Sequence, residues 1–141
     1  MHGAQRVRPA RRYRRLPRRH SGRHDRCAVT PEPKRGDLWT LAGGGGSLTS
    51  KPRPALVITS DVFSGLDFVT VLLVTTDQTE GFTRIPIPAS KQTGLAEPSM
   101  IQAEKIVTIH RRNLQQRCGY VTPTVLAKVR EVVTAYLGFG G

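Results

Sequence analysis

The chain predicts a small, mainly β domain closed by one C-terminal helix. Three observations carry that reading. From Gly36 onward, short apolar runs alternate with turn signals. The densest run, Phe68 to Thr75, is rich in β-branched residues, which fit a pleated, half-buried surface. Near the end, apolar residues recur at helical spacing instead. Together they imply five to seven short strands in a strongly bent sheet or small barrel, capped by the helix.

The elements follow in order. Gly36 and Asp37 make a turn, and Leu38-Trp39-Thr40-Leu41 continue as a strand. Gly43 to Gly46, with residues 47–51, read as a long mobile loop. Pro54 to Thr59 is almost wholly apolar, which marks a central strand buried on both faces. Ser60 and Asp61 cap a short helical turn. Phe68–Thr75 is the strongest strand. Phe82 to Pro88 alternates, but Pro86 and Pro88 lack ladder donors and force it to an edge. Residues 99–103 and 106–109 read as two short strands, and Asn113 to Tyr120 as irregular with room for one more. Thr122 is an N-cap, Pro123 takes the first helical position and Gly138 is the stop, so the helix spans about 123–137. Val125, Leu126, Val129, Val132, Val133, Tyr136 and Leu137 form one apolar stripe along it.

The 141 residues leave room for one domain and carry a formal net charge of +12. That balance suggests a polyanionic partner, with nucleic acid ahead of an anionic membrane surface. The charge is concentrated. Residues 1–33 hold ten arginines and two acidic residues, a net +8, with few apolar side chains and four prolines. Such a segment cannot offset its ordering entropy, so a disordered Arg-rich extension is expected over 1–33 and the folded domain over 34–141. No apolar run is long enough to span a membrane. Two cysteines, Cys27 and Cys118, exclude a disulfide scaffold or a four-cysteine zinc site, and Cys118 reads as a buried structural thiol.

No phosphate loop, dinucleotide-binding glycine pattern, zincin motif or nucleophile elbow is present. What remains is a set of polar residues at strand ends. Arg53 stands before the central strand. Thr75 and Thr76 end the strongest one. Arg84 lies in the Pro-rich strand, and Gln102 and Glu104 flank the next. An Arg held by a rigid strand can face a cleft with its head group free.

The ordered series Arg35-Gly36-Asp37-Leu38-Trp39, Arg53-Pro54-Ala55-Leu56-Val57-Ile58-Thr59-Ser60-Asp61 and Val71-Leu72-Leu73-Val74-Thr75-Thr76 resembles the MazF/PemK/Kid family of toxin endoribonucleases. The stretch Ser99 to Ile109 and the final helix ending Leu137-Gly138 also fit, so the likeness covers 34–138. The resemblance implies an SH3-like barrel acting as a cytoplasmic homodimer. It implies cleavage of single-stranded RNA with neither metal nor cofactor, and neutralisation by a cognate antitoxin. Arg53 matches the family's catalytic Arg and Thr75 its strand-end Thr or Ser, with Thr76 one residue away. Where some members carry a His or a Glu-Gln pair in the first loop, this chain has Ser47-Leu48-Thr49. Where some carry Arg-x-Asp, it has Gln102-Ala103-Glu104, with Glu104 as the replacement base. Arg84, Gln102 and Ser47 are further candidates for RNA contact. Two other readings fit the residues: a non-enzymatic CcdB-like toxin acting on a protein target, and a basic RNA-binding module.

Overall fold

The computed structural model describes residues 32–42 and 53–140. The expected extension over 1–33 and the Gly-rich loop with Ser47 therefore lie, apart from Glu32 and Pro33, outside the described residues. Six antiparallel strands form one sheet: β1 (Asp37–Leu41), β2 (Arg53–Val57), β3 (Phe68–Thr75), β4 (Arg84–Ile87), β5 (Ser99–His110) and β6 (Leu114–Tyr120). Their order across the sheet is β4-β5-β3-β2-β1-β6. The helix α1 follows at Pro123–Leu137.

β2 is central, between β3 and β1, and β4 is an edge strand, as its prolines require. Two readings are corrected. Residues 99–103 and 106–109 are not separate strands but two halves of β5. Leu72 pairs with Ile106, yet Val74 pairs with Ile101, so five residues of β5 advance against two of β3. This bulge at Glu104 and Lys105 also flips the strand's parity. Ile101 and Ala103 face one core, Ile106 takes over that side, and Val107 and Ile109 face the other. Extra residues bend a strand and raise its twist, so the ladder survives where the apolar alternation breaks. Second, residues 114–120 form one continuous edge strand, β6, and the irregularity expected there is confined to two register shifts in its pairing with β1. Its polar residues Gln115, Gln116 and Arg117 are exposed, so no apolar pattern marked it.

Strand alternation splits the interior into two clusters. Leu38, Leu56, Leu72, Val74, Ile85, Ile87, Ile101 and Ala103 pack with Val129 and Val132 of α1. Trp39, Ala55, Val57, Val69, Val71 and Leu114 form the second cluster on the opposite face. The helix begins as expected: Thr122 accepts a hydrogen bond from the Val125 N–H (3.2 Å) and Gly138 ends it with φ of +77°. Its stripe stops short, however. Tyr136 and Leu137 are about half exposed, since the last turn runs past the sheet.

The sheet curls back on itself through the turn before β5. The Tyr120 N–H donates to the Gln92 carbonyl (2.9 Å). A Cβ at Gly119 would overlap that same carbonyl oxygen, and one at Gly94, where φ is +69°, would overlap the Cys118 carbonyl. Only glycine lets these two backbones meet. Cys118 is partly rather than fully buried, against the helix-side cluster.

Candidate functional site

The first motif of the resemblance, Arg35-Gly36-Asp37-Leu38-Trp39, is scaffold. Asp37 is buried and accepts from the Lys34 N–H (3.0 Å) and from Arg117 (3.3 Å). The Arg35 backbone N–H donates to Asp61 (2.9 Å), and its Nε donates to the Ile58 carbonyl (3.0 Å). Leu38 and Trp39 fill the two cores. These residues tie the start of the domain to the end of β2.

The candidate chemistry lies at the other end of β2. Ala55 pairs with Leu73 in the β2–β3 ladder. The ladder ends at that pair, and Arg53 and Thr75 each stand two residues beyond it, at the same end of the sheet. Arg53 shares a face with Ala55, and Thr75 with Leu73, because side chains two apart in a strand point the same way. Arg53 is exposed and makes no ion pair among the described residues. Thr75 is half-buried, and its Oγ1 accepts from the Asp77 N–H (3.1 Å), which fixes the hydroxyl's position at the strand end. Thr76 is exposed beyond the strand, so Thr75 is the one of the two that shares Arg53's face of the sheet.

The same face continues across the sheet. Thr75 pairs with Met100, and Met100 with Pro86. Two residues along β5, Gln102 pairs with Arg84. Gln102 is buried, 6% exposed, and Arg84 forms an ion pair with Glu104 (Nε to Oε1, 3.3 Å). The Thr83 hydroxyl donates to the same Glu104 oxygen (3.0 Å). Gln102 and Glu104 thus lie inside β5, not at a strand end, and Glu104 sits where the bulge begins. The Arg that the sequence lacks at position 102 stands beside Glu104 from the neighbouring strand instead.

Beside Arg84 opens a cleft of about 510 Å³, lined also by Glu80, Gly81, Phe82, Pro86 and Met100. Asp77 at the loop's start titrates below its ordinary value, chiefly because Thr79 donates to it from side chain and backbone, with Arg84's charge a smaller contribution. Phe82 was not legible as a site residue. Its one signal is an aromatic directly after a glycine in a polar turn, which the structure leaves 76% exposed. Among the described residues no three His, Cys, Asp or Glu side chains gather as metal ligands.

The class of fold is a strongly curled, six-stranded antiparallel sheet packed by one C-terminal helix. The chain belongs to the PemK-like, MazF-like toxin family of type II toxin–antitoxin systems, which matches residues 34–137. It is 35% identical over 109 residues to a probable endoribonuclease MazF of Mycolicibacterium smegmatis, covering 77% of this chain and 99% of that protein. Among solved structures, it is similar to the toxin MazF-mt6 of Mycobacterium tuberculosis, with 25% identity and a TM-score of 0.61 over 74% of this chain and 97% of that one. The MazE–MazF complex of Deinococcus radiodurans shares the fold, with 22% identity and a TM-score of 0.65 over 78% of this chain and 99% of that one.

Proposed function

We propose that this toxin is an endoribonuclease that cuts single-stranded RNA in the cytoplasm, acts as a homodimer and is silenced by a cognate antitoxin. What supports the proposal is the family match together with Arg53 and Thr75, which stand on one face at the same end of the β2–β3 ladder.

RNA brings its own nucleophile. The 2′-oxygen attacks the adjacent phosphorus, the bond from phosphorus to O5′ breaks, the 2′-hydroxyl loses its proton and O5′ gains one. The products are a 2′,3′-cyclic phosphate and a 5′-hydroxyl. The protein must hold this geometry in line and stabilise the charge that grows on the phosphorane. Arg53 has the fork of donors for that charge, and its exposed position leaves them available. Thr75, anchored at the strand end, supplies a hydroxyl to a phosphate oxygen or the nucleophile.

Purified full-length protein should cut a mixed single-stranded RNA pool in EDTA, leaving cyclic phosphate ends. Arg53→Ala should keep its circular dichroism spectrum and lose cleavage. A wild type inert on that pool, or an Arg53→Ala variant that cuts equally well, sinks the proposal.

A further inference from the structure

A chain of hydrogen bonds fixes the loop that follows β3. The Asp77 N–H donates to Thr75 Oγ1 (3.1 Å). The Asp77 carboxylate in turn accepts from the Thr79 N–H (2.9 Å) and the Thr79 hydroxyl (2.6 Å), both on Oδ1. Gln78 Nε2 donates to the carbonyls of Thr76 (3.2 Å) and Pro98 (2.8 Å), which ties the loop to the residue before β5. Asp77, Gln78 and Thr79 are all exposed, so these bonds fill no core.

The carboxylate stands in an unhelpful place for RNA binding. Asp77 makes no ion pair among the described residues, and the bonds from Thr79 hold it ionised. Two residues of chain reach at most about 7 Å. The charge thus lies within a Debye length, about 8 Å at physiological ionic strength, of a phosphate held at Thr75, and repels it. What Asp77 contributes must be sought in its hydrogen bonds.

A threonine hydroxyl has one proton and two lone pairs, and its side chain can settle in three staggered wells. The Asp77 N–H takes one lone pair of Thr75 and selects one well. The bond also sets polarity. Oγ1 is an acceptor toward the loop, which leaves its proton for the substrate side. A hydroxyl that accepts from an N–H is the stronger donor, because hydrogen bonds in a chain polarise one another.

We infer that Asp77 is a positioning residue: its carboxylate, bonded to Thr79, holds the turn that keeps the Asp77 N–H on Thr75 Oγ1, and so presents the Thr75 hydroxyl as a donor to the scissile phosphate. This rests on the endoribonuclease reading of Arg53 and Thr75, and it decides between the two roles open to Thr75.

The test compares full-length Asp77→Ala, Asp77→Asn, Thr75→Ala and the double variant Asp77→Ala/Thr75→Ala. Asparagine keeps the Oδ1 acceptor and drops the charge. Asp77→Ala should lower kcat about fivefold, the ordinary net worth of one hydrogen bond. It should also bind 2′-O-methyl RNA, which cannot be cut, more tightly than wild type, because a repelling charge is gone. Asp77→Asn should bind more tightly too, yet restore the wild-type rate. A merely loosened loop gives no such opposed changes in rate and affinity. In the Thr75→Ala background, Asp77→Ala should cost nothing further in kcat, since residues that act through one another do not add. The full fivefold loss there overturns the positioning role. So does Asp77→Asn cutting as slowly as Asp77→Ala, which makes the charge itself, as a general base, the working part.

Amide exchange by NMR reads the link without cleavage. Protection at position 77 should fall severalfold in Thr75→Ala and Asp77→Ala and persist in Asp77→Asn. Equal protection in all four proteins overturns the inference. A wild type that cuts nothing, or a Thr75→Ala variant that cuts as fast, refutes the nuclease reading of these residues instead, and amide exchange then judges the Asp77–Thr75 link alone.

Discussion

On the helix-covered face of the sheet, the buried cluster runs from Leu38 on β1 to Ile87 on β4, and α1 seals it with Val129 and Val132. On the opposite face, the apolar cluster from Trp39 to Leu114 stops before the β2–β3–β5–β4 corner, where Arg53, Thr75, Gln102 and Arg84 take over. The same strands build both faces from alternate residues. Packing residues and the proposed chemistry are therefore interleaved in sequence yet separated in space, and single substitutions should strike one without the other.

The largest expected effect is on the helix-covered face. Leu72 is fully buried on the strand that pairs with both β2 and β5. Leu72→Ala should cost about 3–5 kcal/mol, read as a lower midpoint in urea unfolding. Any activity lost would follow the folded fraction. Arg53→Ala should do the converse, leaving the midpoint within about 0.5 kcal/mol because the side chain is exposed. It should lower the cleavage rate by about a hundredfold to a thousandfold, as expected for losing one donor to developing charge. If the two variants fail alike in both assays, the two faces are not separable.

Two smaller effects sharpen the contrast. Thr122→Ala removes the cap of α1, far from Arg53, and should cost about 1 kcal/mol with no change in the cleavage rate per folded molecule. Cys118 supplies a local probe of the helix-side core. Burial pushes its thiol above its ordinary range, with the Thr40 backbone only partly offsetting this. The reactive thiolate is therefore scarcer at pH 8 than in a free cysteine. In a Cys27→Ser background, iodoacetamide should label Cys118 slowly in the folded protein and faster in Leu72→Ala. Equal rates in the two proteins contradict the packing assigned to this side of the sheet.

Much of this was legible in the residues. Phe68–Thr75 is a strand end to end because β-branched side chains allow little else, and α1 carries its own start and stop in Thr122, Pro123 and Gly138. The edge position of β4 follows from proline chemistry alone. Arg53 and Thr75 were singled out by their match to the family's motifs, since a strand terminus alone marks many solvated polar residues. β6 was not legible, since an edge strand with exposed Gln115, Gln116 and Arg117 has no apolar period to betray it. Nor was the continuity of β5. A bulge breaks alternation in the sequence while the ladder carries on, and only the partner strands reveal that.

Local chemistry by itself thus determined which segments extend, which one coils and which polar residues stand at their ends. Tertiary structure decided who meets whom. The β2–β3 pairing brings Arg53 and Thr75 to one end of the sheet, although the two are distant in the chain. The bulge brings Glu104 to Arg84 on the neighbouring strand, where no reading of consecutive residues could pair them. The reason is physical. Strand propensity and capping are settled within a few residues, whereas register is set by the burial of whole faces, and a shift of one residue would turn every one of these side chains to the other side of the sheet.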